Sequence, residues 1–190
     1  MEIISTNLPD VKIIKPDVFG DARGYFFESW NNEKYSANGI DRQWIQDNES
    51  CSSYGVLRGL HYQLPPYTQA KLVRVISGKV LDVAVDIRKG SPTFGKYAAV
   101  ELSDENKFQL FIPRGFAHGF AVLSKTAIFA YKCDNSYNPA SERGIAFNDP
   151  ALGIDWQIDI EKAILSAKDL KHPVLADAEI FDSNTNGAWQ

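Results

Sequence analysis

From Lys12 to Cys133 the chain runs through short apolar segments broken every few residues by turn formers, a rhythm that leaves little room for helices. The clearest segment is Val80 to Arg88. Leu81, Val83, Val85 and Ile87 alternate there with Asp82, Ala84, Asp86 and Arg88, the period of a strand with one buried face. Runs 24–30, 44–47, 56–62, 71–77, 97–102, 108–112, 119–123 and 127–133 read the same way. Ser77-Gly78-Lys79, Lys89-Gly90-Ser91-Pro92, Ser103-Asp104-Glu105-Asn106 and Pro113-Arg114-Gly115 supply turns between them. Many short strands without intervening helices predict an all-β antiparallel sandwich or barrel. No P-loop or Rossmann glycine fingerprint occurs, which disfavours a doubly wound nucleotide fold. Helix is expected only around residues 32–37 and in a tail from Asp159 to Leu170. In that tail Ile160, Ala163, Ile164 and Ala167 repeat at helical spacing, suited to covering an open end of the sheet. No linker, repeat or low-complexity tract divides the 190 residues, so one domain over 1–190 is expected.

Composition narrows the function. Hydrophobic residues at 44% support a packed core over disorder, and 11 Phe, 8 Tyr and 4 Trp against one Met suit a sheet-rich fold. Lys and Arg number 20 against 24 Asp and Glu, a formal charge of −4 that argues against nucleic acid as a partner. A small anionic ligand held by a few placed cations remains open. No stretch approaches the roughly 18 apolar residues of a bilayer span. Residues Met1 to Asn7 lack the pattern of a signal peptide, so a cytoplasmic protein with reduced thiols at Cys51 and Cys133 is expected.

Three histidines carry the candidate chemistry. His61 lies in Arg58-Gly59-Leu60-His61-Tyr62-Gln63, His118 in Pro113-Arg114-Gly115-Phe116-Ala117-His118-Gly119-Phe120, and His172 in Lys171-His172-Pro173, which reads as surface. A histidine in a small β-barrel first suggests a metal, but no second His or carboxylate accompanies His61 locally, and no metal is expected. An imidazole suits general-base work at neutral pH if a carboxylate holds its other nitrogen. Among 24 acidic residues the sequence does not select that partner. Lys71 and Arg58 are placed to steady an oxyanion or hold phosphate oxygens. Arg58 and His61 differ by three, which puts them on opposite faces of a regular strand unless Gly59 marks a bulge. Tyr131 reads either as a core-edge aromatic beside Phe129 and Cys133 or as a proton donor. Arg23 reads equally well as a solvated loop residue.

Several strings then occur in a telling order: residues 19–28 (FGDARGYFFE), 46–48 (QDN), 56–61 (VLRGLH), 71–75 (KLVRV), 82–88 (DVAVDIR), 112–120 (IPRGFAHGF) and 166–169 (SAKD). Together, over roughly Asp10 to Phe181, they resemble the dTDP-4-dehydrorhamnose 3,5-epimerase family, metal-free enzymes of cupin fold. The resemblance implies a cupin-type double-stranded β-helix, an antiparallel jelly roll, with short peripheral helices, mainly C-terminal over about 159–190. It implies cofactor-independent 3,5-epimerisation of a dTDP-4-keto-6-deoxyhexose on the way to dTDP-L-rhamnose, in a homodimer that exchanges N-terminal segments. The catalytic roles fall on His61, its partner Asp169, the opposing acid Tyr131, and Lys71 at the enolate. Substrate contacts fall on Arg23, Phe26, Glu28, Gln46, Asn48, Arg58, His118, Tyr137, Glu142 and Lys168, with Phe26 offered to the thymine ring. Tyr62 and Phe147 stand where the family more often has Phe and Trp, and residues 67–70 are not diagnostic. A relative that inverts C3 or C5 alone, or a cupin that only binds a nucleotide sugar, keeps many of the same residues.

Overall fold

The computed structural model describes residues 1–180. Its elements are β1 (Glu2–Ser5), β2 (Lys12–Lys15), β3 (Val18–Asp21), β4 (Gly24–Phe27), α1 (Asn32–Ala37), β5 (Gln46–Ser53), β6 (Leu57–Gln63), β7 (Lys71–Ser77), β8 (Lys79–Asp86), β9 (Tyr97–Ser103), β10 (Gln109–Ile112), β11 (Phe116–Val122), β12 (Thr126–Cys133) and β13 (Glu142–Gly144). Two antiparallel sheets, β1-β2-β10-β7-β12-β5 and β13-β6-β11-β8-β9, pack together as a jelly roll, while β3 and β4 form a separate hairpin. The expected all-β, cupin-type class is what the chain adopts.

Alternation sorts the strands into three apolar layers. Val73, Val80, Ala84, Leu110, Phe116, Phe120 and Phe129 meet between the sheets. Leu57, Leu60, Leu81, Val83, Val85, Ile87, Trp156 and Leu175 bury the outer face of the smaller sheet. Ile14, Tyr35, Ile40, Leu72 and Phe111 bury the outer face of the larger one beneath α1. The expectation of one buried face for β8 is therefore corrected, because nearly every residue of that strand is buried. Its polar face points into the barrel, where Asp82 meets His118 and Asp86 meets Arg88, Ser91 and Thr93. Buried carboxylates persist only with such partners.

The predicted tail helix is also corrected. The tail carries only 3₁₀ turns, at Ile160–Lys162, Asp169–Lys171 and Leu175–Asp177. Ala163 already has extended backbone, and Ile164 spends its N–H and C=O on Gly55 and Leu57 of the neighbouring strand region. Ile160 and Ile164 are consequently exposed rather than buried on a helical stripe. The part of the predicted tail beyond residue 180 lies outside the described residues. No helix among the described residues is long and apolar enough to cross a membrane.

Candidate active site

A cavity of about 620 Å³ opens between the two sheets, a size suited to a small-molecule ligand. β6 contributes Arg58 and His61, β11 His118 and Phe120, β7 Lys71, β12 Phe129 and Tyr131, and β5 Asn48, Glu49 and Ser50. The tail closes one side with Ile164, Leu165, Ser166, Lys168 and Asp169.

Gly59 reconciles Arg58 with His61. In the pairing of β11 with β6, His118 faces His61 and Phe120 faces Arg58, so two residues of β6 stand against one of β11. That bulge flips the parity: Leu57 and Leu60 both join the outer apolar cluster, while the side chains of Arg58 and His61 are both brought to the cavity. Gly59 has φ +132, and a Cβ there would lie 2.5 Å from the Gly119 Cα and 2.9 Å from the His118 carbonyl oxygen. Only glycine fits both the conformation and the space.

His61 Nε2 and Asp169 Oδ1 are 2.6 Å apart, with Asp169 buried at 3% side-chain exposure. Burial pushes the Asp169 carboxyl up, but hydrogen bonds from His61 and Ser166 outweigh it and hold the group below its ordinary range. With Nε2 engaged, the lone pair of a neutral His61 is left on Nδ1. A second relay runs behind it. The Lys71 ammonium stands 3.5 Å from His118 Nδ1, and His118 Nε2 stands 3.0 Å from an Asp82 oxygen. Burial lowers both Lys71 and His118 from their ordinary values. Lys71 Nζ also sits 5.7 Å from the Tyr131 ring centroid, and burial raises the Tyr131 phenol, so it stays a proton donor well into alkaline pH.

The other predicted residues divide. Arg58 bonds Ser52 across the sheets, and Asn48 accepts from Gln46 and donates toward Cys133. Gln46 also accepts the Tyr137 N–H. Beside the tail, Glu142 accepts the Tyr137 hydroxyl and pairs with Lys168. Arg23, Phe26 and Glu28 are not brought to this cavity. Arg23 pairs with Asp21, and Phe26 is 69% exposed on the β3–β4 hairpin, where both line a separate hollow. Glu28 pairs with Lys34. Arg23 and Phe26 sit on a hairpin that forms no ladder with either large sheet, so no strand pairing draws them inward.

Sequence reading missed Asp82, Ser166 and His172. Asp82 was signalled by the polar face of β8, had that face been recognised as the barrel interior. His172, expected at the surface, is largely buried, its ring edge-on to His61 at 5.5 Å. The fold thus gathers a donor set the local sequence lacked: ligand atoms of His61, Asp169 and His172 lie within 4.8 Å of one another. A cation bridging a His and an Asp at about 2.1 Å each holds them roughly 3.3 Å apart. The 2.6 Å between His61 and Asp169 is instead the distance of a charge-assisted hydrogen bond.

Comparison with known proteins bears on the family and the fold. Residues 5–177 match the family described as dTDP-4-dehydrorhamnose 3,5-epimerase. The enzyme of that name from Shigella flexneri is 53% identical over 95% of this chain and 99% of its own. A structure from Legionella pneumophila, a dTDP-6-deoxy-D-glucose-3,5-epimerase in complex with dTDP-4-keto-L-rhamnose, superposes with TM-score 0.89 at 53% identity over 92% of this chain and 93% of that one. A dTDP-4-dehydrorhamnose 3,5-epimerase structure from Elizabethkingia anophelis gives TM-score 0.89 at 54% identity, covering 93% and 97%. Agreement of this extent, in both sequence and backbone, means that the chain belongs to the dTDP-4-dehydrorhamnose 3,5-epimerase family of isomerases.

Proposed function

We propose that the protein converts dTDP-4-dehydro-6-deoxy-D-glucose to dTDP-4-dehydro-L-rhamnose by epimerisation at C3 and C5, without a cofactor. The observation that carries this reading is the His61–Asp169 pair at 2.6 Å on one sheet's side of a cavity to which the other sheet contributes Tyr131 and Lys71. Hydrogens on C3 and C5 are acidic because both carbons flank the C4 ketone. Nδ1 of His61 takes one of them, Asp169 steadies the resulting imidazolium, and the electron pair moves to the C4 oxygen as an enolate. The Lys71 ammonium stabilises that oxygen, and one such donor contributes about 3 kcal/mol. Inversion requires the returning proton to arrive on the other face, so base and acid must be different groups. Tyr131, held as a phenol, supplies it.

Arg58 and Lys168 are cations at the cavity suited to the diphosphate, with Asn48, Gln46, His118, Tyr137 and Glu142 as further contacts. Arg23, Phe26 and Glu28 serve the cavity of a second copy, in a homodimer that lends the β3–β4 hairpin across its interface. Exposure of Val18, Phe19, Tyr25 and Phe26 on that hairpin supports this.

The test is turnover in heavy water, with a reductase trapping the product because the epimerisation equilibrium can favour substrate. Deuterium at both C3 and C5 is expected. Label at one carbon alone makes the protein a mono-epimerase, and binding without exchange makes it a non-catalytic nucleotide-sugar protein.

A further inference from the structure

Asp169 sits on a different kind of element from the groups it serves. His61, Lys71, Tyr131 and His118 project from strands, whose ladders fix the backbone. Asp169 opens a three-residue 3₁₀ turn in a tail tied to the barrel nearby by the bridge of Ile164 to Val56 and by the ion pair of Lys168 with Glu142. A carboxylate turns about a broad, roughly two-fold torsion. One hydrogen bond to Oδ1 therefore leaves the group free to swing away from His61.

The second oxygen is held as well. Ser166 Oγ donates to Asp169 Oδ2 at 2.8 Å and accepts the Asp169 backbone N–H at 3.1 Å. One hydroxyl thus fixes both the start of the turn and the rotation of the carboxylate. Two residues upstream, Ile164 bonds Gly55 and Leu57, so the tail is referenced to the same strand that carries His61. His172 offers no substitute: its Nε2 lies 3.6 Å from Oδ1, on the oxygen already bonded to His61. Among the described residues, Ser166 is the side chain bonded to Oδ2.

We propose that Ser166 is a positioning residue of this epimerase, orienting the Asp169 carboxylate so that Oδ1 meets His61 Nε2 and the base lone pair stays on Nδ1. The inference rests on the His61–Asp169 reading above. Ser166 touches no reacting atom in this account; it acts through Asp169. Because Ser166 is exposed, removing its hydroxyl leaves no cavity in the core.

Full-length Ser166→Ala and Ser166→Thr are compared with wild type and with His61→Asn. Four readouts are taken: kcat, KM for the dTDP-sugar, dTDP affinity by calorimetry, and the His61 tautomer by nitrogen-15 NMR. Ser166→Ala is expected to lower kcat by about ten- to a hundredfold, the scale of a small misplacement of a catalytic group. KM and dTDP affinity stay as in wild type, the Nδ1–H tautomer of His61 becomes populated, and threonine restores both rate and tautomer. An unchanged kcat, an unchanged tautomer in a slowed variant, a matching loss of dTDP affinity, or failure of threonine to restore the rate overturns the proposal. If the alanine variant does not fold, Ser166→Cys, similar in shape but a weak donor, is read by the same criteria. Turnover by His61→Asn sinks the dyad reading itself, whereas an inactive His61→Asn beside a normal Ser166→Ala sinks only this inference.

Discussion

An imidazole with Nε2 tied to a carboxylate has one lone pair to give, and everything at the scale of single residues follows from where that pair points. Deleting a general base costs about 10²- to 10⁴-fold in rate. His61→Asn is therefore expected to lose turnover and solvent-deuterium exchange while keeping its melting temperature and its affinity for dTDP. Steady-state kinetics and calorimetry on the same preparation check this, and normal turnover would refute the assignment. The composition of the chain made His61 a candidate but left its partner open among 24 carboxylates. Asp169 lies 108 residues away from it, and contact across that separation is created by the fold, not by spacing. Only the order of strings shared with a known family named Asp169 in advance. Ser166 was part of one of those strings, yet its role depends on hydrogen-bond geometry that a string does not carry.

Among the elements, β6 is where local chemistry decides most. Strand parity alone set Arg58 against His61, and the glycine between them left the conflict open. The bulge settles it, at a point where β6 and β11 approach too closely for any side chain. Gly59→Ala combines a disfavoured backbone region with a clash against main chain, and should cost about 3 kcal/mol or more. Denaturant unfolding measures the loss. The surviving folded protein should also show weaker kcat, because Arg58 and His61 share the displaced backbone. A variant of wild-type stability would contradict the close approach of Gly59 to Gly119. Strands such as β7 were legible to the residue because alternation and flanking turns agreed. The tail was not, since its helical spacing of Ile and Ala competes with backbone bonds to Gly55 and Leu57 that no periodicity reveals. β8 was legible as a strand but not as a doubly buried one, for its acidic face is polar yet lies inside, held by His118 and Arg88.

For the whole molecule, the relation that governs activity is between the cavity and the hairpin that holds Arg23 and Phe26. A protein carrying Arg23→Ala with Phe26→Ala and a protein carrying His61→Asn should each be nearly inactive alone. If the hairpin crosses to a neighbour, co-expressing the two chains creates heterodimers with one intact site. The activity of that mixture then exceeds the sum of its parts. Strict additivity would place the hairpin's work within its own chain, and sedimentation at several concentrations reports the assembly directly. The position of Asp169 has a further consequence in time. Every described strand is complete by Gly144, so the last strand leaves the ribosome while the acid that arms the imidazole is still inside the exit tunnel. A copy clipped after the last strand loses its proton-handling partner together with Trp156 and Leu175, so chemical competence and the cover of the smaller sheet arrive with the same late stretch of chain.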